Sequence, residues 1–534
     1  MKNLFKENSL KIIVAAIVVF LSIYFFNITL NYGFYGIGLT FFFIGVLFIF
    51  IDIVKEEYQI KKLNIGIIGI SILLIVILPI ISSLSLFYSS EYYNLIQNKN
   101  KIKISEFNKD ISPVDLSKII TVDQKLAKKL GNKILGQDIA LGSIVEVGEF
   151  SIQTVNDELV WVAPLEHSGF FKWLNSKNGT PGYIIVNATN ENDVRLILNK
   201  KIKYQPSAYF EENLRRHVYF NGYMSQGLTD YSFEIDNKGN PYWVITKFKK
   251  FVGFEGSDAI GTVIVNALTG EIKEYSIEET PKWVDRIQPK KFIVEQLDDW
   301  GKFKNGWLNS IFTKKEVLKT TKGISLVYGN DGSSYWYTGM TSTGSDGSTV
   351  GFVLVNTRTK ETSFYKISGA TEVRAMSSAE GLVQEKRYSA TFPILYNILG
   401  VPTYVMTLKD NEGLVKNIAL VNVKNYNIVG IGINVKDALR NYKSKLVSKG
   451  NNIKLSSSIK LKELTGKIKR INLDNKNGNS YFYFMLDNSD KIFILDSSLS
   501  EEIIVTNIND LVTIKYEDSK LKIISLSSFD NLEI

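Results

Sequence analysis

The sequence predicts an α+β membrane protein: three N-terminal transmembrane helices, then repeated small helix-plus-antiparallel-sheet units, then a C-terminal five-stranded barrel. Three observations predict this class. Residues 1–90 contain three long apolar runs. An aromatic strand followed by an apolar strand ending in Val-Asn recurs in four copies. Residues 453–534 carry five short strand patterns.

The length of the chain, 534 residues, is too great for one compact core, so several domains are expected. The predicted divisions are a membrane anchor (1–90), a polar tether (91–113), four α+β units (114–205, 206–290, 291–370 and 371–450) and a small barrel (453–534).

The composition excludes several classes of site. The chain has no cysteine, which excludes disulfides and thiolate metal sites, and only two histidines, His167 and His217. We therefore predict no metal, no cofactor and no catalytic residue. The net charge of +9 comes from scattered lysines and is compatible with an anionic neighbour such as a membrane surface.

The three apolar runs cover about Ile12–Leu30, Gly33–Ile53 and Ile65–Phe87, each near the roughly 20 residues that cross a bilayer. Two further runs follow the first at once, so it is not a cleaved signal peptide. Asn31-Tyr32 leaves room for a tight hairpin between the first two spans. Asp52 is interpreted as a residue at the membrane boundary.

Lysine placement predicts the orientation. Lysines flank the start of the first span and fill the second loop, at Lys2, Lys6, Lys11, Lys55, Lys61 and Lys62. The positive-inside rule then places the N-terminus in the cytoplasm and everything after the third span outside the cell membrane.

The clearest repeat covers residues 240–277 and predicts strands at Tyr242–Phe248, Thr262–Ala267 and Glu271–Ile277. The apolar strand of each copy ends at an asparagine: Asn187, Asn266, Asn356 and Asn422. Asparagine tolerates the left-handed backbone of a turn, which we take as the reason for its place.

Helical patterns precede the later copies, at Ser207–Phe220, about Lys291–Phe312 and about Val373–Lys386. A helix followed by strands with Val-Asn-Ala-Leu-Thr-Gly-Glu-Ile resembles the PepSY domain family, and residues 263–275 carry the best match. The third and fourth copies lack the Thr-Gly pair. The resemblance implies extracytoplasmic regulatory modules.

Five strand patterns with an insertion after the third are typical of the OB-fold, which residues 464–526 resemble. Acidic side chains balance the lysines here, which argues against a nucleic-acid groove. Protein contact or simple packing is the expectation for this domain.

Residues 164–181 provide the predicted binding site. Glu166 and His167 adjoin Phe170, Phe171 and Trp173. The functional reading is a ligand-binding loop with a polar handle and an aromatic wall; the alternative is a packed loop that seals a core edge.

Arg215 and Arg216 lie on the predicted helix before the second copy. Either they pair with Glu211 and Glu212 one turn earlier on a solvated face, or they form an anion site.

The function predicted from the sequence is a non-enzymatic extracytoplasmic regulator or scaffold that binds an envelope protein. One alternative is an envelope glycan-binding or glycan-cleaving protein that uses the 164–181 loop or the Asp298-Asp299-Trp300 cluster. The other is a cytoplasm-facing protein that binds nucleic acid through the C-terminal domain. The sequence leaves the oligomeric state open.

Overall fold

The computed structural model describes residues 2–54, 62–97, 102–107, 111, 118–176, 178–329, 332–342, 344, 348–448, 461–476, 479–497, 500–517 and 522–534. The predicted α+β class is confirmed. Packing divides the chain into two compact units. The first unit comprises Met1–Glu106 and Ser117–Glu372, and the second comprises Phe107–Leu116 and Val373–Ile534.

The N-terminal part is helical, with α1 at Lys2–Tyr24, α2 at Gly36–Val54, α3 at Lys62–Ser83 and α4 at Ser85–Asn94. Two of these, α2 and α3, are long and apolar enough to cross a membrane. The apolar part of α1, Ser9–Tyr24, is shorter. A third crossing therefore stays a prediction.

Asp52, which the sequence places at the membrane boundary, is buried near the C-terminal end of α2. Its carboxylate lies among α1, α2 and α3, where it pairs with the Lys11 ammonium at 2.6 Å and accepts from the Asn64 amide at 2.7 Å. All three side chains are buried. A buried acid between apolar helices is stabilised when the neighbouring helices supply a cation and a hydrogen-bond donor.

The predicted tight hairpin between the first two helices is wrong. Residues 25–35 form a longer connection that packs on a sheet module: Leu30 donates its N–H to the Met224 carbonyl at 2.7 Å, and the Phe34 ring lies 5.8 Å from that of Phe248. The connection is long because it has to reach this partner.

The first unit contains strands β1–β17. In chain order they are β1 Lys103–Ser105, β2 Val145–Val147, β3 Ser151–Val155, β4 Glu158–His167, β5 Tyr183–Asn187, β6 Val194–Ile197, β7 Gly227–Ile235, β8 Pro241–Val252, β9 Glu255–Asn266, β10 Ile272–Ser276, β11 Leu318–Thr320, β12 Ser325–Tyr328, β13 Ser334–Ser342, β14 Ser348–Thr349, β15 Gly351–Asn356, β16 Thr362–Tyr365 and β17 Gly369–Ala370. Its further helices are α5 Gln124–Gly136, α6 Ile139–Gly142, α7 Phe170–Asn175, α8 Leu214–Val218, α9 Lys290–Phe303 and α10 Gly306–Ile311.

Fourteen of these strands form three antiparallel sheet modules: β2–β6, β7–β10, and β11–β13 with β15 and β16. Strands β14 and β17 pair with each other, and β1 joins β16 in parallel. The three modules share one feature of register. In the three modules Trp161 pairs with Val186, Trp243 with Val265 and Trp336 with Val355, so each tryptophan faces the valine before the terminal asparagine.

The terminal asparagines cap the turns through their side chains. The Asn266 amide oxygen accepts from the N–H groups of Leu268 at 2.9 Å and Thr269 at 3.0 Å, and Asn187, Asn356 and Asn422 cap their own turns in the same way. None of the four has a positive φ; that conformation falls at Gly270 and Lys360, four residues after Asn266 and Asn356. The left-handed rationale is therefore wrong, and the Asx turn replaces it.

A second bond recurs in the first unit. The indole N–H of Trp161, Trp243 and Trp336 donates to a backbone carbonyl of the segment that enters each module, namely Val122, Tyr204 and Gln288 respectively, at 2.7–2.8 Å. A buried indole needs such an acceptor, which explains why tryptophan stands at this strand position.

The predicted helices differ in length from those observed. The Ser207–Phe220 pattern contains a 3-10 turn at Phe210–Glu212, the short α8 and the start of a π-helical turn at Tyr219–Tyr223. The first break occurs because Asn213 is extended and caps α8. The Lys291–Phe312 pattern divides into α9 and α10.

The predicted tether is packed where the structure describes it. Ile96 is fully buried in the core of the third module. Strand β1 adds to β16 in parallel, with Ile104 opposite Phe364. The segment predicted to be a polar tether therefore packs on the third module through Ile96 and the pairing of β1.

The second unit contains a fourth sheet, formed by β18 Ser389–Ala390, β19 Ile394–Ile398, β20 Val401–Lys409, β21 Val415–Asn422 and β22 Val429–Gly432. In it Tyr404 pairs with Val421, in the place of the tryptophan–valine pairs. The unit's helices are α11 Glu372–Gly381, which begins at its boundary, and α12 Val435–Ser448.

Five more strands close into a barrel: β23 Leu461–Lys476, β24 Asn479–Leu486, β25 Ile492–Asp496, β26 Leu511–Glu517 and β27 Ile523–Asn531. The order around the barrel is β23-β24-β25-β27-β26, with β26 returning to β23. Phe484, Phe493 and Ile514 fill its interior.

Candidate functional site

The C-terminal end of β4 positions Glu166 and His167. Glu166 lies opposite Glu146 on β2, and His167 lies opposite Val145. Successive side chains of a strand point to opposite faces, so His167 turns into the core while Glu166 stays partly exposed. The two residues therefore do not form one polar handle.

Glu166 is electrostatically unusual. Burial, then the facing Glu146 carboxylate and Glu149, raise the pKa of Glu166 to about 7, while a hydrogen bond from Ser207 opposes the rise. A carboxyl with this pKa exchanges a proton near neutral pH. Gly148 leaves the room it needs, since a Cβ there would lie 2.7 Å from the Glu166 carboxylate.

His167 is 2% exposed, and both ring nitrogens lack a hydrogen-bond partner within the described part of the chain. Burial lowers the pKa of His167, and the Glu212 carboxylate opposes that effect. The neighbouring Ser168 hydroxyl donates to the Ile144 carbonyl, so the adjacent Glu-His-Ser residues do not form a relay.

The aromatic residues of the loop lie on α7, which starts after Gly169 at φ 113°. The Trp173 indole donates to the Glu212 carboxylate at 2.7 Å. The rings of Phe170 and Trp173 pack against Tyr209, and the Phe210 ring lies 5.7 Å from that of Trp173. The loop and the 207–212 segment therefore make one aromatic cluster.

Arg215 and Arg216 do not form the predicted pairs one helical turn apart. The Arg215 guanidinium lies 4.8 Å from the centre of the Tyr231 ring. Arg216 donates to the carbonyls of Tyr24 and Phe210, each at 3.0 Å, and its guanidinium stacks over the Tyr24 ring at 4.5 Å. Arg216 thus binds the C-terminal end of α1, where a helix attracts a cation.

Sequence reasoning missed Ser207, Tyr209, Phe210 and Glu212 as members of this cluster. Phe210 has a left-handed backbone, φ 52°, which is rare for an aromatic residue. The available signal was the density of aromatic and acidic residues at 207–212. Nothing in that spacing indicated contact with residues some 40 positions earlier.

A buried ionic cluster was also missed. Glu234, Asp285, Arg286 and Tyr328 lie together in the first unit; burial raises the pKa of Glu234 to about 7 and that of Asp285 to about 6, while Arg286 opposes both shifts. Asp285 accepts the Thr154 N–H at 2.6 Å, which joins the first module to the segment before the third.

Asp298 and Asp299, the acids of the alternative glycan site, have different surroundings. Asp298 accepts the Thr320 N–H at 2.7 Å. Burial raises the pKa of Asp299 to about 6, while Lys302 opposes the rise. Among the residues that the structure describes, no group of three or more His, Asp or Glu side chains has the spacing to hold a metal ion.

No family model matches the chain, and no curated protein matches it significantly. Among solved structures it aligns with the Bombyx mori GH32 beta-fructofuranosidase BmSUC1 (9% identity, 76% of this chain, 70% of that one, TM-score 0.17). It also aligns with the Trypanosoma rangeli sialidase (10% identity, 72% of this chain, TM-score 0.18), of which it spans about half, 54%. TM-scores this low establish no shared fold and carry no argument.

Proposed function

We propose that this chain is a membrane-anchored, non-enzymatic regulatory or scaffold protein whose extracytoplasmic modules bind a partner protein of the cell envelope. The observation that carries the proposal is the contact between the helices and the modules. The α1–α2 connection and the end of α3 lie against the second module: the Tyr219 hydroxyl donates to Ile28, and the Phe254 N–H donates to Ser83.

This contact supports three crossings with the modules outside. The ends of the helices that contact the module carry no lysine, whereas Lys2, Lys6 and Lys62 lie at the opposite ends. The positive-inside rule assigns those lysine-bearing ends to the cytoplasm. The packed modules then emerge on the other side.

The PepSY-like character of the modules and the OB-like character of the barrel belong to the same proposal. The repeated register and turn caps support the first. The second rests on the barrel's strand order and on a 3-10 turn, Glu501–Ile504, between its third and fourth strands.

We propose strand addition as the binding mode. In the third module β1 pairs in parallel with the last strand, β16. The corresponding strand of the second module, β10, forms the edge of its sheet and exposes Lys273 and Glu274. Such an edge offers backbone donors and acceptors to an extended segment of a partner.

Two experiments test the proposal. Alkaline phosphatase fused after Ile534 is expected to be active, and a cytoplasm-dependent fluorescent protein at the same place inactive; the reverse pattern discards the topology. A photo-crosslinking residue replacing Lys273 should capture a discrete partner in native membranes, whereas one replacing the exposed turn residue Lys238 should not. Equal capture at both positions rejects the edge.

A further inference from the structure

A patch of exposed aromatic rings lies on the first unit beside the end of α1. Its members are Phe170, Phe171, Phe210 and Phe220, and their exposed fractions are 37%, 75%, 51% and 43%. Contiguous exposed apolar surface of this kind marks a place of interaction with another apolar phase or a partner.

The patch is continuous with the helical anchor. The Phe220 ring lies 6.0 Å from that of Tyr24, the last residue of α1. Arg216 connects the Tyr24 carbonyl with that of Phe210. Phe25, the next residue, is itself 55% exposed. The exposed rings therefore start where the apolar helix stops.

The helix lengths place the end of α1, and the exposed rings beside it, near one face of a bilayer. Lys11 and Asp52 meet at one depth. At 1.5 Å per residue, Tyr24 lies roughly 20 Å along α1 from Lys11, and Gly36 roughly 24 Å along α2 from Asp52. The 19 residues of α2 span roughly 28 Å. The hydrocarbon layer is about 30 Å thick, so the outer end of α2, and with it the end of α1 at nearly the same level, reaches the interfacial region.

A second exposed group lies beside the end of α3. Phe251, Leu308 and Phe312 are 56%, 64% and 74% exposed. The β8–β9 hairpin that carries Phe251 contacts Ser83 at the end of α3. Trp307, next to Leu308, packs on the cluster of Tyr92, Val252 and Phe303. Both groups thus border helix ends.

We propose that these rings lie in the interfacial layer of the lipid bilayer, so that the first unit rests on the membrane through an aromatic collar. Exposed Phe and Leu side chains of proteins that lie on a membrane bury themselves in this layer, where headgroups meet acyl chains. Lys172 lies between Phe171 and Trp173, and its ammonium suits anionic headgroups. The inference rests on the proposed membrane anchor, and on neither the partner nor the side of the membrane.

The test uses the absence of cysteine. The full chain carries one cysteine at a time, Phe171→Cys or Phe312→Cys, labelled with a small fluorophore and placed in nanodiscs of phosphatidylcholine and phosphatidylglycerol. Glu191→Cys is the control: it is exposed on the turn after β5, at the other end of the first module, roughly 30 Å away along β4. Phe43→Cys on α2 reports insertion of the anchor.

Lipids with a nitroxide headgroup should quench the fluorophores at 171 and 312 at least about twofold more than the one at 191. Equal quenching at 171 and 191, with the fluorophore at 43 quenched by lipids with a nitroxide deep in the acyl chain, overturns the collar and leaves the anchor intact. A fluorophore at 171 shielded from both lipid nitroxide and aqueous iodide means that protein covers the patch, which also overturns it. If lipids with a nitroxide deep in the acyl chain do not quench the fluorophore at 43, the anchor and the collar are both overturned.

Discussion

At the scale of the residue, the terminal asparagines show how one side chain sets a turn. Asn266 satisfies two backbone N–H groups that the turn would leave without partners, and the residue four positions later takes the left-handed backbone. The two tasks that the sequence pattern assigns to one residue are therefore divided between two.

Asn266→Ala is expected to destabilise the protein by about 1–2 kcal/mol, because both N–H groups lose their acceptor. Asn266→Asp keeps the acceptor and should cost little. Thermal unfolding of the purified chain measures both, with the exposed Asn192→Ala as the matched control. An alanine variant as stable as the aspartate variant would contradict the role of the cap.

Glu166 should make stability depend on pH. Its folded pKa, about 7, lies above the ordinary 4.5, so the folded state holds a proton that the unfolded state releases. Stability is then highest below about pH 4.5 and falls as pH rises towards 7.

Glu166→Gln removes the cost of ionising this partly buried carboxyl. It should raise the free energy of unfolding at pH 8 by on the order of 1–2 kcal/mol, after allowance for the partial exposure of the site. Denaturant unfolding at pH 5 and pH 8 checks the difference. The exposed Glu191→Gln should leave the pH dependence unchanged. A variant with the wild-type pH slope would show that Glu166 is not the group responsible.

At the scale of the element, the buried Lys11–Asp52–Asn64 cluster joins three helices. Asp52→Leu leaves the ammonium and the amide buried without their acceptor, and is expected to cost about 3–5 kcal/mol. The double variant Lys11→Met with Asp52→Leu should recover most of that loss, since neither charge then remains alone.

Thermal unfolding in detergent micelles measures the single and the double variant, with the exposed Ile53→Ala on the same helix as the control. Equal stability of the single and double variants would mean that the charges do not interact. The sequence places an acid near the end of the second apolar run, but it contains no signal that pairs it with Lys11.

At the scale of the whole molecule, the first two modules share a core and a reciprocal pair of hydrogen bonds. The Gln153 side chain on β3 donates to the Ile235 carbonyl and accepts the Ile235 N–H, both at 2.8 Å. Core residues of both modules, among them Val160, Val162, Trp243 and Val263, pack as one cluster. We expect these modules to open together.

Gln153→Ala leaves two buried backbone groups unsatisfied and should destabilise both modules by about 2–4 kcal/mol. Hydrogen exchange should show faster exchange at β5 in the first module and at β9 in the second. The exposed Gln137→Ala is the control. Faster exchange confined to the first module would show that the modules are independent.

The sequence by itself determined the apolar N-terminal runs, the repeated aromatic and Val-Asn strands, and the five C-terminal strands, because each is written in the periodicity or turn chemistry of a short stretch. Only the tertiary structure decided that Asp52 pairs with Lys11, that β1 joins β16, and that the Trp173 indole donates to Glu212. Those contacts join residues 39 or more positions apart. Packing and the need to satisfy buried polar groups select such partners, and no local pattern names them.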